Sequence, residues 1–363
     1  MFHCVPPERL FMAFAPLLLY DHRLPPMTPE HENASAKERT MRPGPAFRAC
    51  VALAATIVLT ACSGAGEGPS TGGLEKTALT IGVSPTPSSA PVFIADRKGF
   101  FKEEGLTVRT EVIQAPQTVM PKILNGSMDI FKGSYVSLIN IQDSGAAKIK
   151  ILHDSLAAAP GIAGVVVMND SPLQGPKDLK DKTIAVNSLD NLGTMSMSAH
   201  LKAYDLPPEQ VKFVVVNFEA QLTALKQSQV DAAWMVEPFL SAAQQAGARL
   251  LLDTNTGPTD ALPIDGWAAT EEWTARNPKT VAAFQRAVSK AQRLAATDRT
   301  VLAEVVPLYT QTPKEAVMTM AMGTFPTSLN ATRIQRVADL MHEFGYLKAK
   351  VDVASMVVPI PEQ

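Results

Sequence analysis

Cysteine is nearly absent from the sequence. The three present are Cys4, Cys50 and Cys62, and none follows. Thiolate metal sites, redox pairs and core disulfides are therefore excluded from everything beyond residue 62. A basic excess is missing too: 33 Lys and Arg face 35 Asp and Glu, a net charge of −2. Nucleic-acid binding needs a cationic surface, so that partner class is excluded. Aromatics are few, at 6%. The histidines beyond Cys62 are His153, His200 and His342, with no His-x-x-x-His spacing, which argues against a metal site. No Gly-rich phosphate loop occurs, nor a Ser/His/Asp arrangement with a nucleophile elbow. What is present is bulk. The 363 residues are 46% hydrophobic and 19% charged, enough for two cores and too apolar for global disorder.

The first sixty residues read as an address. A short basic segment, Met41–Arg48, precedes the apolar run Ala49–Leu59, which is too short to span a bilayer as a helix. Leu59-Thr-Ala-Cys62 follows. Basic head, apolar run and small residues before a cut make a secretory signal, and the terminal cysteine resembles the bacterial lipobox. That resemblance implies cleavage before Cys62 and diacylation of its thiol, which gives the chain a multiply acylated membrane anchor. A buried helix with an incidental cysteine is the plainer alternative. The Gly/Ser-rich stretch Ser63–Gly73 reads as a flexible tether, with residues 62–77 as the tether region. A second signal upstream of a complete one has no physical use. Translation is therefore expected to start at Met41, or at Met27, with residues 1–61 comprising an extension and a signal peptide.

From Ala78 onward, short apolar runs alternate with amphipathic stretches. Strands are expected at Ala78–Val83, Thr107–Ile113, Asp129–Lys132, Lys150–His153, Gly164–Met168, Thr183–Val186, Val211–Val216, Ala232–Met235, Arg249–Leu252 and Gly266–Thr270. Helices are expected between them at Val92–Glu104, Thr118–Leu124, Tyr135–Ser144, Thr194–Tyr204, Gln221–Lys226 and Phe239–Gln245. This spacing predicts α/β layers around mostly parallel sheets. The last third is helical: Val281, Phe284, Val288, Ala291 and Ala295 share one face, and further helices are expected at Arg299–Leu308, Pro313–Met322 and Ala331–Phe344. A faint internal repeat joins Ile123–Asp129 to Leu225–Asp231, each a helix end, a polar turn and an Asp opening a strand. Two similar lobes would turn those strand ends toward one another, and ligands sit beyond the carboxyl ends of such strands.

Ile81-Gly-Val-Ser-Pro-Thr86, Ala90–Leu106, Asn125–Asp129, Asp178–Val186 and Val230–Pro238 together resemble the solute-binding proteins of ABC importers. The group concerned serves nitrate, sulfonate, taurine and thiamine-pyrimidine uptake. The resemblance covers Leu79 to about Val358. It implies a two-lobed type II periplasmic-binding fold with a two-strand hinge. Lobe 1 would be discontinuous, residues 78–161 plus 262–363, and lobe 2 would be residues 162–261. Closure over ligand would be the signal read by a permease.

Ligand-facing residues are expected at strand-to-helix turns. Ser84, Thr86 and Ser88 could hold a polar head group, or serve plain turn chemistry with Pro85 and Pro87. Ser134 and Tyr135 open a helix where the family places contacts. Asn187, Ser188, Asn191 and Thr194 could present a helix N-terminus to an oxyanion, or simply cap it, with Asp190 turned outward. Glu237 could pair with an amine or pyrimidine N–H, or cap the next helix. Trp234 and Trp267 could stack on a planar ligand or sit in the core. No Arg or Lys cluster marks these loops, which leans toward a neutral heterocycle or zwitterion over nitrate or sulfonate.

The function expected is capture of a small polar organic solute or oxyanion outside the cytoplasm. Delivery would be to permease and ATPase subunits, by a monomer that needs no cofactor and no metal. An exported enzyme on the same fold is the alternative, with Glu237 as its one evident acid or base; a sensory lipoprotein is another.

Overall fold

The computed structural model describes residues 73–361. The upstream extension, the signal peptide, Cys62 and most of the tether lie outside the described residues. The chain runs β1 (Ala78–Val83), α1 (Ala90–Arg97), α2 (Phe100–Glu103), β2 (Thr107–Val112), α3 (Met120–Leu124), β3 (Ile130–Ser134), α4 (Tyr135–Asp143), β4 (Ile149–Ala157) and β5 (Ala163–Met168). Next come β6 (Thr183–Val186), α5 (Leu192–Ala203), β7 (Lys212–Val215), α6 (Phe218–Lys226), β8 (Ala232–Val236), α7 (Phe239–Gln245), β9 (Ala248–Asp253) and β10 (Pro263–Thr270). Five helices close the chain: α8 (Glu271–Arg276), α9 (Pro278–Thr297), α10 (Arg299–Val305), α11 (Lys314–Thr319) and α12 (Ala331–Glu343).

The strands form two five-stranded sheets, ordered β2-β1-β3-β10-β4 and β7-β6-β8-β5-β9. The fold is α/β and two-lobed, and the sheets are mostly parallel as expected. Their plans match: in the first sheet only β10 runs against its neighbours, and in the second only β5 does. These are the two strands the chain enters after crossing between sheets, through residues 158–162 and 254–262. Each crossing delivers the chain from the other lobe's side, so the strand it opens runs against the rest. The faint repeat in the sequence thus marks equivalent places: Asp129 precedes β3 and Asp231 precedes β8, each the third strand of its sheet.

Local chemistry sets the element ends. The single helix expected over 92–104 is two, because Gly99 adopts φ 79°, a left-handed turn that glycine takes without strain. Helix α9 is amphipathic, and Val281, Phe284, Val288, Ala291 and Ala295 are all buried. It packs on α1, α2 and β4, while α12 packs on α4 and β10, so the C-terminal helices cover the first sheet. The end of the expected tether is not loose. Glu75 accepts from the Thr280 backbone at 3.0 Å, and Lys76 Nζ reaches Asp129 at 2.6 Å. Among the described residues no helix is long and apolar enough to cross a membrane.

Candidate functional site

Two neighbouring cavities are lined from both lobes, a small chamber and a wider vestibule. The chamber is about 70 Å³. The first lobe supplies Thr86, Ser88 and Asp265, and the second supplies Leu192, Val236 and Glu237. The vestibule, about 650 Å³, is lined by Phe218, Phe239, Leu222, Leu308 and Tyr309 among others. Three chain segments serve both, near Pro85–Ser88, Met235–Phe239 and Met320–Met322. The ring of Phe218 stacks on Phe239 at 5.2 Å, and that of Tyr309 on Phe93 at 4.0 Å.

A buried polar triangle lies on the first-lobe wall. Asp265 Oδ2 accepts from Ser88 Oγ at 2.9 Å and from Lys132 Nζ, which also donates to Ser88 Oγ at 2.8 Å. Lys132 is wholly buried; burial lowers its pKa, and the Asp265 charge opposes that shift. Asp265 Oδ1 has no hydrogen-bond partner. Next to this triangle, Tyr135 donates to Asp154 Oδ1 at 2.9 Å and Arg333 pairs with Asp154 Oδ2 at 2.6 Å.

On the second lobe, Glu237 is buried. It accepts from Ser241 Oγ at 2.6 Å and from the Ser241 backbone N–H at 3.2 Å, which caps α7. Its pKa is raised, because burial outweighs the hydrogen bonds from Ser241 and the Ala321 backbone and the pull of Arg299. Of the two roles weighed for this residue, the helix cap is present, and the residue also lines the chamber.

The remaining expected residues separate. Thr86 and Ser88 line the chamber, hydrogen-bonded to each other at 2.9 Å. Ser84 is half-buried and lines neither cavity; its carbonyl accepts from Ser89. Ser134 caps α4 by accepting from the Ser137 N–H, and it is paired in register with Asp265. Asn191 caps α5, accepting from the Gly193 N–H at 3.0 Å, while Thr194 Oγ1 accepts from the Asn191 N–H at 3.1 Å. The first residue of that helix, Leu192, lines the chamber. Asn187 accepts from the Asn191 side chain, and Ser188 donates to the Leu189 carbonyl. Asp190 is exposed, as expected.

Three of the expected aromatic residues lie in the interior, the core role weighed for Trp234 and Trp267. Tyr135 and Trp267 are wholly buried in the first lobe, Trp267 edge-on to Phe284. Trp234 is 3% exposed, because its ring is pressed against Gly193 and its Nε1 donates to Thr254 Oγ1 at 2.9 Å. None of the three lines the chamber or vestibule.

A larger groove of about 1000 Å³ runs between α4, α5 and the loop after α12. Its wall carries the exposed side chains of Asp143, Lys202 and Glu209 and none of the expected ligand residues. Among the described residues no cluster of His, Cys, Asp and Glu could hold a metal ion.

Residues 86–299 match the family described as NMT1/THI5 like, which is more than half of the chain. The chain belongs to that family. A curated relative, the taurine-binding periplasmic protein of Escherichia coli (strain K12), is 25% identical over 221 residues, spanning 60% of this chain and 67% of its own length. Solved structures share the fold. The periplasmic aliphatic sulphonate binding protein SsuA from Escherichia coli superposes with a TM-score of 0.62 at 19% identity, over 77% of this chain and 97% of its own. The alkanesulfonate-binding protein SsuA from Xanthomonas axonopodis pv. citri, bound to MOPS, gives 0.66 at 18% identity, over 79% and 100%.

For this member of the NMT1/THI5-like family, sequence reasoning missed Asp265 and Lys132. The expected strand began at Gly266, which left Asp265 in a loop. The other ended at Lys132, which left its charge at a surface. Both strands run further and bury the pair. The available signal was a charge set inside an apolar run, in Ile130-Phe-Lys132-Gly and Pro263-Ile-Asp265-Gly-Trp.

Proposed function

We propose that this chain is an extracytoplasmic solute-binding protein of an ABC importer, which holds a small polar organic solute between its lobes and releases it unchanged to a permease. The observation that carries this reading is the chamber, whose wall is shared by two separate sheets and whose polar groups come from both. The relatives named above are binding proteins and not enzymes, and reversible capture accords with them. The lobes we assign are residues 78–161 with 262–363, and residues 162–261, hinged at the two crossings. The protein would act as a monomer held to the outer face of the membrane by lipidated Cys62. Native mass spectrometry of the purified protein should show one carried-over solute per chain. A thermal-shift panel should raise the midpoint with that solute, since binding to the folded state alone stabilises it. A solute that emerges chemically altered would overturn the reading. Cys62→Ser should release the protein from the membrane fraction; continued membrane retention would refute the anchor alone.

A further inference from the structure

The charge lining the cleft runs against an anionic guest. Among the described residues, Glu219, Glu237 and Asp265 line the two cavities and no Lys or Arg does. The two cations nearby do not line either cavity. Lys132 is wholly buried and bonded to Asp265 Oδ2 and Ser88 Oγ. The Arg299 guanidinium is hydrogen-bonded to the carbonyls of Val317 and Met320, and its charge already acts on Glu237. At the start of α5, the N–H groups of Gly193 and Thr194 donate to Asn191 Oδ1.

The decisive group is Asp265. It is 9% exposed, it lines the chamber, and its Oδ1 has no partner. An unpaired buried acceptor is costly, and a charged one more so, unless a donor arrives with the ligand. Glu237 faces the same chamber from the other lobe, where its carboxyl accepts from Ser241 and from the Ala321 backbone. A sulfonate or nitrate placed here would meet two carboxylates in a small desolvated space. An ammonium would instead complete Asp265 and attract Glu237. The chamber, at about 70 Å³, has room for a head group and not for a whole solute. The body would lie toward the neighbouring vestibule, which is lined by the stacked pair Phe218 and Phe239 and by Tyr309.

We propose that the cleft selects an organic amine: a cationic N–H group in the chamber against Asp265 and Glu237, on a mainly apolar, ring-sized body held in the vestibule. This rests on the binding-protein reading above and names its ligand class.

The test uses matched probes on the whole exported chain, read by calorimetry and thermal shift. The probes are benzylamine, phenylmethanesulfonate with the same ring, taurine, and trimethylbenzylammonium, which keeps the charge and loses the N–H donors. Benzylamine should bind, the two sulfonates should not, and trimethylbenzylammonium should bind at least tenfold more weakly. Asp265→Asn and Glu237→Gln should each weaken benzylamine at least tenfold. Glu237→Gln serves as the second variant because Asp265→Asn also disturbs Lys132. Binding of a sulfonate without benzylamine overturns the amine assignment and leaves the binding-protein reading intact. Benzylamine binding that both variants leave unchanged overturns the placement at Asp265 and Glu237. If no probe binds and the solute released from the purified protein is not an amine, the assignment is overturned while capture stands. If no solute is carried and no compound class shifts the midpoint, both fall.

Discussion

Lys132 and Asp265 lie on adjacent strands, β3 and β10, and meet inside the first lobe 133 positions apart in sequence. Lys132 is wholly buried, so its charge is tolerated only because Asp265 and Ser88 receive it. Removing one partner of such a pair leaves the other as an uncompensated buried charge, at a cost of about 3–5 kcal/mol. Lys132→Met should therefore destabilise the protein by about that much in urea unfolding, despite similar length and greater apolarity. A cost below about 1 kcal/mol would mean that the pair contributes little to the folded state.

Gly193 and Trp234 make a second contact between distant segments. A Cβ built on Gly193 would sit 2.6 Å from Trp234 Cε3. In an exposed helix, Gly→Ala gains up to about 1 kcal/mol. Here the sign should reverse, and Gly193→Ala should lose about 1–3 kcal/mol through overpacking. Trp234→Leu should relieve the Gly193→Ala penalty, so the double variant should cost less than the two single changes added together. Additive losses would show that the ring is not what crowds residue 193.

Much of this architecture is legible along the chain. The strands at Ala78–Val83 and Thr183–Val186 can be read to the residue, because each is an apolar run bounded by turn residues. The apolar face of α9 is legible from its spacing alone. The first-lobe wall that carries Lys132 and Asp265 is not. β3 and β10 each carry one charged residue within their apolar stretch, and local pattern treats a charge as an end. Only tertiary pairing, Lys132 with Asp265, makes the charge tolerable inside the sheet. Likewise the turn serines and the Asn191 cap are legible as turn chemistry, but which of them faces the cleft depends on how the two sheets are set. Trp234 and Trp267 illustrate the same limit: aromatic residues near strand ends suit a site or a core, and the partners that decide, Gly193 and Phe284, lie far away in sequence.

Glu237 and Ser241 join the cleft to helix α7. Ser241→Ala removes the 2.6 Å hydroxyl bond and leaves the backbone N–H contact. The loss of a helix-end side-chain bond should cost about 1 kcal/mol. The Glu237 carboxylate would also be less supported, so its already raised pKa should rise further. Carbon-13 NMR of the labelled Glu237 carboxyl should show the titration moving to higher pH in the variant. An unmoved titration would show that the hydroxyl does not stabilise the charged form.

His153 and Asp154 are adjacent, wholly or almost wholly buried, and opposed in their response to pH. The His153 ring donates from Nδ1 to the Asp154 carbonyl at 2.7 Å and accepts at Nε2 from Ser289 Oγ at 2.9 Å. Burial lowers its pKa to about 4 from an ordinary 6.5. Between those values the unfolded chain binds a proton that the folded chain refuses, so this group makes stability rise with pH. Burial raises Asp154 to about 7 from 3.8, against the pull of Arg333 and Tyr135. Between those values the folded chain holds a proton that the unfolded chain has lost, so this group makes stability fall as pH rises. From about pH 4 to 6.5 the two contributions largely cancel. His153→Gln removes the rising contribution and leaves the falling one. A tenfold change in proton activity is worth about 1.4 kcal/mol to a state that binds one proton more. The stability gap between the natural chain and the variant should therefore widen by about 3 kcal/mol from pH 4 to 6.5. Urea midpoints at pH 4.5, 5.5 and 6.5 measure it. A gap that stays constant across that range would show that the folded chain admits a proton at His153 as readily as the unfolded one.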